Sequence, residues 1–137
     1  MTSTWSRMTP LEPDECLRLL SSARLGRVGL CGPAGPQILP VNHAVMDGAV
    51  LFRTDAYGVL AEGTRDGGIV AFQADEIDDR LQSGWSVLVV GPAEHVEDRA
   101  EMVAAFERMG DPWAPGTRQL VARISPAQVT GRRFYRN

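Results

Sequence analysis

An antiparallel β-barrel with a few short flanking helices is the fold this sequence predicts, a mainly β chain. Three observations carry it. Five or six apolar runs have strand length and are separated by turns rich in Gly and Pro. The helical stretches between them are few and short. Gln37 to Leu60 reads as two long strands around Asp47-Gly48, the residue pair that most readily takes positive φ in a two-residue hairpin. At 137 residues the chain is long enough for one core and is read as one domain.

The elements follow in order. Residues 1–11 are a polar, flexible arm, and residues 12–137 form the barrel domain. Thr9-Pro10-Leu11-Glu12 resembles a capping box, although Pro13 could equally open the helix one turn later. From Asp14 to Ser22, Cys16, Leu17, Leu19 and Leu20 fall largely on one helical face. Gly26 ends this unit, Leu25 to Cys31 is a short strand, and residues 32–36 turn the chain into the hairpin of Gln37 to Met46 and Ala49 to Thr54. Gly58 to Thr64 is a short helix with Leu60 and Ala61 inward. Ile69 to Ala74 is a strand, Asp75 to Ser83 an acidic loop, and Trp85 to Val90 a strong strand. Gly91-Pro92 marks a bulge or bend before that strand continues to Val96. Met102, Val103, Phe106 and Met109 recur at helical spacing as core packing. Residues 110–116 form a loop, Gln119 to Ile124 a strand, and Val129 to Tyr135 a tail strand.

Composition excludes several classes of function. A formal net charge of −3 offers no nucleic-acid surface or polybasic membrane patch. No apolar run reaches the roughly 20 residues needed to span a bilayer. The N-terminus lacks the apolar core of a signal peptide, so a cytoplasmic location is expected. Every basic residue is arginine, which removes lysine as a Schiff base or general base. Cys16 and Cys31 have no metal spacing and are read as small buried hydrophobes of a reducing compartment. His43 and His95 lack a second ligand at metal spacing, so no metal is expected. The carboxylates of Asp75 to Asp79 read as a solvated turn rather than an acid–base pair, and no nucleophile elbow is present.

One corner points to chemistry. Arg53-Thr54 ends a strand just before a short helix, and an arginine, a hydroxyl and a helix N-terminus can together hold a phosphate. Asn42-His43 interrupt the partner strand with polar side chains. With apolar or aromatic walls from Phe52, Trp85 and Trp113, these describe a small-molecule site. Trp113, between two prolines, reads as a pocket cover or interface residue.

The motifs I-L-P-V-N-H (38–43), L-F-R-T (51–54), I-V-A-F-Q-A-D-E-I-D (69–78), G-W-S-V-L-V-V-G (84–91), P-W-A-P-G (112–116) and V-T-G-R-R-F (129–134) occur in an order and spacing specific to one family. The chain resembles the pyridoxamine 5′-phosphate oxidase-like split-barrel flavoproteins, in the short actinobacterial branch with nitroimidazole-reductase-like members. The resemblance spans about residues 12–134. It implies a six-stranded split barrel that forms a homodimer, with flavin mononucleotide (FMN) in a groove between subunits, and an oxidoreductase acting on a small molecule. By position, Arg53 and Thr54 would hold the flavin phosphate, and Val41, Asn42, His43 and Leu60 would line the cofactor. Trp85 and Ser86 would come from a neighbouring strand, and Trp113 would approach the flavin edge. His43 is the one candidate proton donor. Where the family has a phosphate-contacting lysine, this chain has Val59, and Asp55 adds negative charge beside it. The departure opens two alternatives: the deazaflavin cofactor F420 with Arg27, Arg53 and Arg65 along its acidic tail, or a non-enzymatic flavin- or ligand-binding dimer.

Overall fold

The computed structural model describes residues 5–110 and 119–136. In chain order these form β1 (Trp5–Pro10), α1 (Pro13–Ser22), β2 (Gly26–Gly32), β3 (Gly35–Met46), β4 (Ala49–Asp55), α2 (Val59–Gly63), β5 (Ile69–Asp78), β6 (Ser83–His95), α3 (Arg99–Met109), β7 (Gln119–Ile124) and β8 (Gln128–Arg136). The central hairpin forms as its turn dictates. Asp47 and Gly48 take φ of 50° and 77°, and Met46 faces Ala49 across the ladder. Pro13 opens α1, at a position where its missing N–H would have had no partner, and Glu12 before it makes no side-chain cap.

Every strand pair is antiparallel, and six strands close a ring in the order β6-β5-β2-β3-β4-β7. The split lies within β6. Ser83 to Val90 pair with β8, whereas Ala93 to His95 pair with β7, and the change falls at Gly91-Pro92. The sequence expects a bend there, and packing explains why the first residue is glycine. A Cβ at residue 91 would lie 2.0 Å from the backbone oxygen of Ser125.

Val28, Val50, Phe52, Phe72, Val87 and Val89 fill the barrel, and α1 packs Cys16, Leu19 and Leu20 into the same cluster. β4 is buried on both faces. Val50 and Phe52 point into the barrel, while Ala49 and Leu51 pack beneath α3 with Met102, Ala105, Phe106 and Met109. That is why A-V-L-F reads as a continuous apolar run rather than an alternating one.

Six strands close the barrel as the sequence predicts, and β1 and β8 lie outside the ring. Four expectations are corrected. Residues 5–10, expected within a loose arm, pair along β8 as β1, because a ladder partner rather than local pattern supplies the hydrogen bonds. Asp75 to Asp78, expected as a loop, continue β5 opposite Ser83 to Ser86, and Asp78 Oδ1 accepts the backbone N–H of Arg80 and Leu81 to close the turn. Cys31 is exposed, whereas Cys16 is buried as expected. Val103 likewise faces outward from α3, 47% exposed.

The candidate cofactor groove

Strand alternation distributes the hairpin's polar residues between two faces. Asn42 sits opposite Arg53 on the ladder, and His43 opposite Phe52. Val41 joins the barrel core. Arg53 is buried on the other face, where its guanidinium donates to the backbone oxygen of Gly110 and lies 5.4 Å from the Phe106 ring centroid. A cation at the last carbonyls of α3 is favoured by the helix dipole, so this arginine ties α3 to the barrel. Asn42 is buried beside it. Thr54 is half-buried and, by alternation, turned to the opposite face from Arg53; Asp55 is exposed at the strand end.

His43 is turned inward. Its Nε2–H donates to the Leu20 backbone oxygen at 2.8 Å, and its ring lies 4.9 Å from that of Phe72. Nδ1 is buried without a hydrogen-bond partner among the described residues. Burial pushes its pKa down, with the bond to Leu20 opposing in part. Folding therefore holds His43 neutral, while the unfolded chain takes up a proton below its ordinary pKa of 6.5. The stability this contributes is complete above pH 6.5 and is lost as pH falls toward the lower folded value. Melting curves across that window should show the loss, and His43→Gln should flatten it. An unchanged slope in the variant would exclude His43 as its source.

The remaining sequence-derived residues lie elsewhere. Leu60 is buried in the barrel core, and Trp85, 5% exposed, stands between Glu76 and Arg133 on the ladder. Ser86 lies between Asp75 and Arg132, half-buried on the outer side. Trp113 is outside the described residues. The structure thus brings together Asn42 and Arg53, and puts Val41, His43, Leu60 and Trp85 on the core side.

A groove that the sequence did not reveal opens on the outer face of β3, β2, β5 and β6. Ile38, Gly29, Ala71 and Val90 form one continuous row across those four strands. The small residues in the middle leave a trough, and Ile38 and Ile69 on its walls are 73% and 65% exposed. It is an open space of about 560 Å³ and shares Leu30, Cys31, Gln37 and Gly63 with a second of about 520 Å³ beside α2, walled by Pro33, Ala34 and Val59. One signal could have found it. A sheet face that meets water should carry polar side chains at alternate positions, and here Gly29, Cys31, Ile69, Ala71, Leu88 and Val90 occupy them.

A terminal phosphate does not fit the residues of this groove. Among the described residues its lining contains no arginine, and Glu62 is the one charged residue. Arg65 pairs with Glu62 at 3.1 Å on the exposed side of α2, and Arg53 serves Gly110. The helix expected to cradle the phosphate is only five residues long. An apolar, planar ring does fit a trough of this lining and size. No group of His, Cys, Asp and Glu able to hold a metal occurs among the described residues. Among the same residues, no helix is long and apolar enough to cross a membrane.

Comparison with known proteins adds independent findings. A family model described as pyridoxamine 5′-phosphate oxidase matches residues 12–133. Rv0080, an uncharacterised protein of Mycobacterium tuberculosis, is 42% identical over 128 residues, covering 90% of this chain and 84% of the relative. A solved Corynebacterium glutamicum structure, assigned provisionally to pyridoxamine 5′-phosphate oxidase, superposes with a TM-score of 0.79 at 32% identity and covers 100% of this chain and 98% of its own. A FAD-binding protein from Mycobacterium smegmatis superposes with a TM-score of 0.78 at 36% identity, covering 94% and 100% of the two chains.

Proposed function

The chain belongs to the pyridoxamine 5′-phosphate oxidase-like split-barrel family, and from that premise we propose that it is a flavin-binding oxidoreductase that works as a homodimer. The observation that carries this reading is the apolar trough through Ile38, Gly29, Ala71 and Val90, which offers a flat, dry floor for an isoalloxazine ring. The FAD-binding relative from M. smegmatis, which covers nearly the whole chain, supports the same ligand class.

The trough lies on a sheet face with several exposed apolar side chains. Ile38, Ile69 and Leu88 are exposed on it, and beyond a polar band of Arg27, Gln73, Asp75 and Ser86 the exposed Ile77 and Met8 stand toward the ribbon of β5, β6, β8 and β1. A second copy placed against this face would bury those side chains and roof the groove, which accounts for dimerisation and cofactor enclosure together.

A bound flavin supplies the redox chemistry; the chain supplies binding, orientation and exclusion of water. His43 does not serve as a proton donor in this reading, because its N–H is committed to Leu20 on the core side. The F420 reading needs several cations along one groove to meet an acidic tail. Arg27, Arg53 and Arg65 stand on β2, on β4 and beyond α2, and none of them lines the trough. The non-enzymatic reading has one observation in its favour: of the described residues lining the groove, only Cys31 and Glu62 have an ionisable side chain.

The visible spectrum of the purified protein, before and after reconstitution with flavin, tests the proposal. The two absorption bands of oxidised flavin should persist through desalting, and anaerobic addition of a reduced nicotinamide nucleotide should bleach them. Persistent bands that never bleach would leave a flavin carrier. A protein that stays colourless after reconstitution would remove the flavin reading altogether.

A further inference from the structure

The end of the groove under α2 carries an inference that rests on the flavin reading and sharpens it. Val59 begins α2 and faces the β2–β3 hairpin so closely that a Cβ on Gly32 would come within 2.8 Å of its Cγ2. The same point is 3.5 Å from Gln37 Nε2, so Val59 and the Gln37 amide together form this end of the cavity. Leu30, Pro33 and Ala34 complete the walls. Among the described residues, the polar side chains at this end are the Gln37 amide, the Cys31 thiol and the Glu62 carboxylate, the last already paired with Arg65 where both are well exposed.

A phosphate monoester carries a charge of about −1.5 to −2 at neutral pH. Seated against Val59 and beside Glu62, it would lose water without gaining a cation. An uncharged group meets no such penalty there, and apolar atoms gain from the contact. FMN ends in that monoester. Riboflavin has none; FAD carries its first phosphate on the same ribityl oxygen as FMN, in a pyrophosphate whose charge is comparable to the monoester's, so it meets the same penalty.

We propose that Val59 makes this end of the groove a neutral subsite, so that the protein selects a flavin presenting no phosphate there. Val59 is the specificity-determining residue, through the charge it does not carry.

Protein stripped of bound flavin and titrated calorimetrically with riboflavin, FMN and FAD in separate runs tests the proposal. Riboflavin should bind at least as tightly as FMN. Val59→Lys should tighten FMN about 10- to 150-fold relative to riboflavin, the range for one charge-assisted contact. FAD should bind no more tightly than riboflavin, because its pyrophosphate begins where the FMN phosphate stands, and FAD bound tenfold or more tightly would overturn the subsite. FMN bound tenfold or more tightly than riboflavin by the unaltered protein would overturn the subsite while leaving the flavin reading in place. Loss of that preference in Arg65→Ala would then identify the cation responsible. Failure of all three flavins to bind would overturn both. The riboflavin-to-FMN ratio of the unaltered protein decides the matter even where Val59→Lys does not fold.

Discussion

Gly91→Ala is expected to destabilise the protein by about 3 kcal/mol, a fall in Tm of roughly 10 °C for a domain of this size. The added Cβ would lie 2.0 Å from the Ser125 oxygen and 3.0 Å from the Ala127 nitrogen, both backbone atoms that cannot rotate away. The approach is this close because β6 leaves β8 and joins β7 at this point. Ser125 N–H donates to Pro92 O at 3.0 Å and Ala127 N–H to Val90 O at 2.9 Å, clamping the segment between β7 and β8 onto the corner. Relieving the overlap lengthens or breaks those bonds, each contributing about 1 kcal/mol. Gly29→Ala is the matched control: its Cβ would find nothing nearer than 3.9 Å, so its Tm should stay close to that of the unaltered protein. Equal melting temperatures for the two variants would mean that barrel closure tolerates a wider corner.

The double substitution Ile38→Glu with Leu88→Glu should convert the proposed dimer to a monomer without unfolding it. Both side chains are exposed in the single chain, at 73% and 37%, so glutamate there costs the monomer little. In the proposed dimer the same carboxylates would be withdrawn from water into the contact, at about 3–5 kcal/mol for each charge left without a partner. A two-fold interface doubles every substitution, so the dimer should weaken by at least about four orders of magnitude. Light scattering across a dilution series reads the mass directly, and circular dichroism confirms the fold. A variant that remains dimeric would place the interface on another face. A variant that becomes monomeric and also loses flavin would support a groove roofed by the second copy.

Much of the barrel was legible because its signals are local. Asp47-Gly48 set the central turn through two residues of positive φ. Gln119 to Ile124 was read with the bounds of β7, and the Met102, Phe106 and Met109 spacing gave the packed face of α3. The opposite facing of Arg53 and Thr54 was also legible, since neighbours on a strand point to opposite sides.

What the sequence determined by itself was the class of fold, the hairpin at its centre and the family, because turn chemistry, strand period and motif order are properties of neighbouring residues. Tertiary structure alone decided three further things. It made strands of residues 5–10 and Asp75 to Asp78, whose hydrogen bonds come from partners rather than from their own pattern. It committed Arg53 to Gly110 and His43 to Leu20, residues 57 and 23 positions away. It also assembled the groove from small and apolar side chains on four strands. Its shape and lack of cations exist only when Ile38, Gly29, Ala71 and Val90 stand in one row, since a cavity's charge is the sum over residues that the chain itself keeps apart.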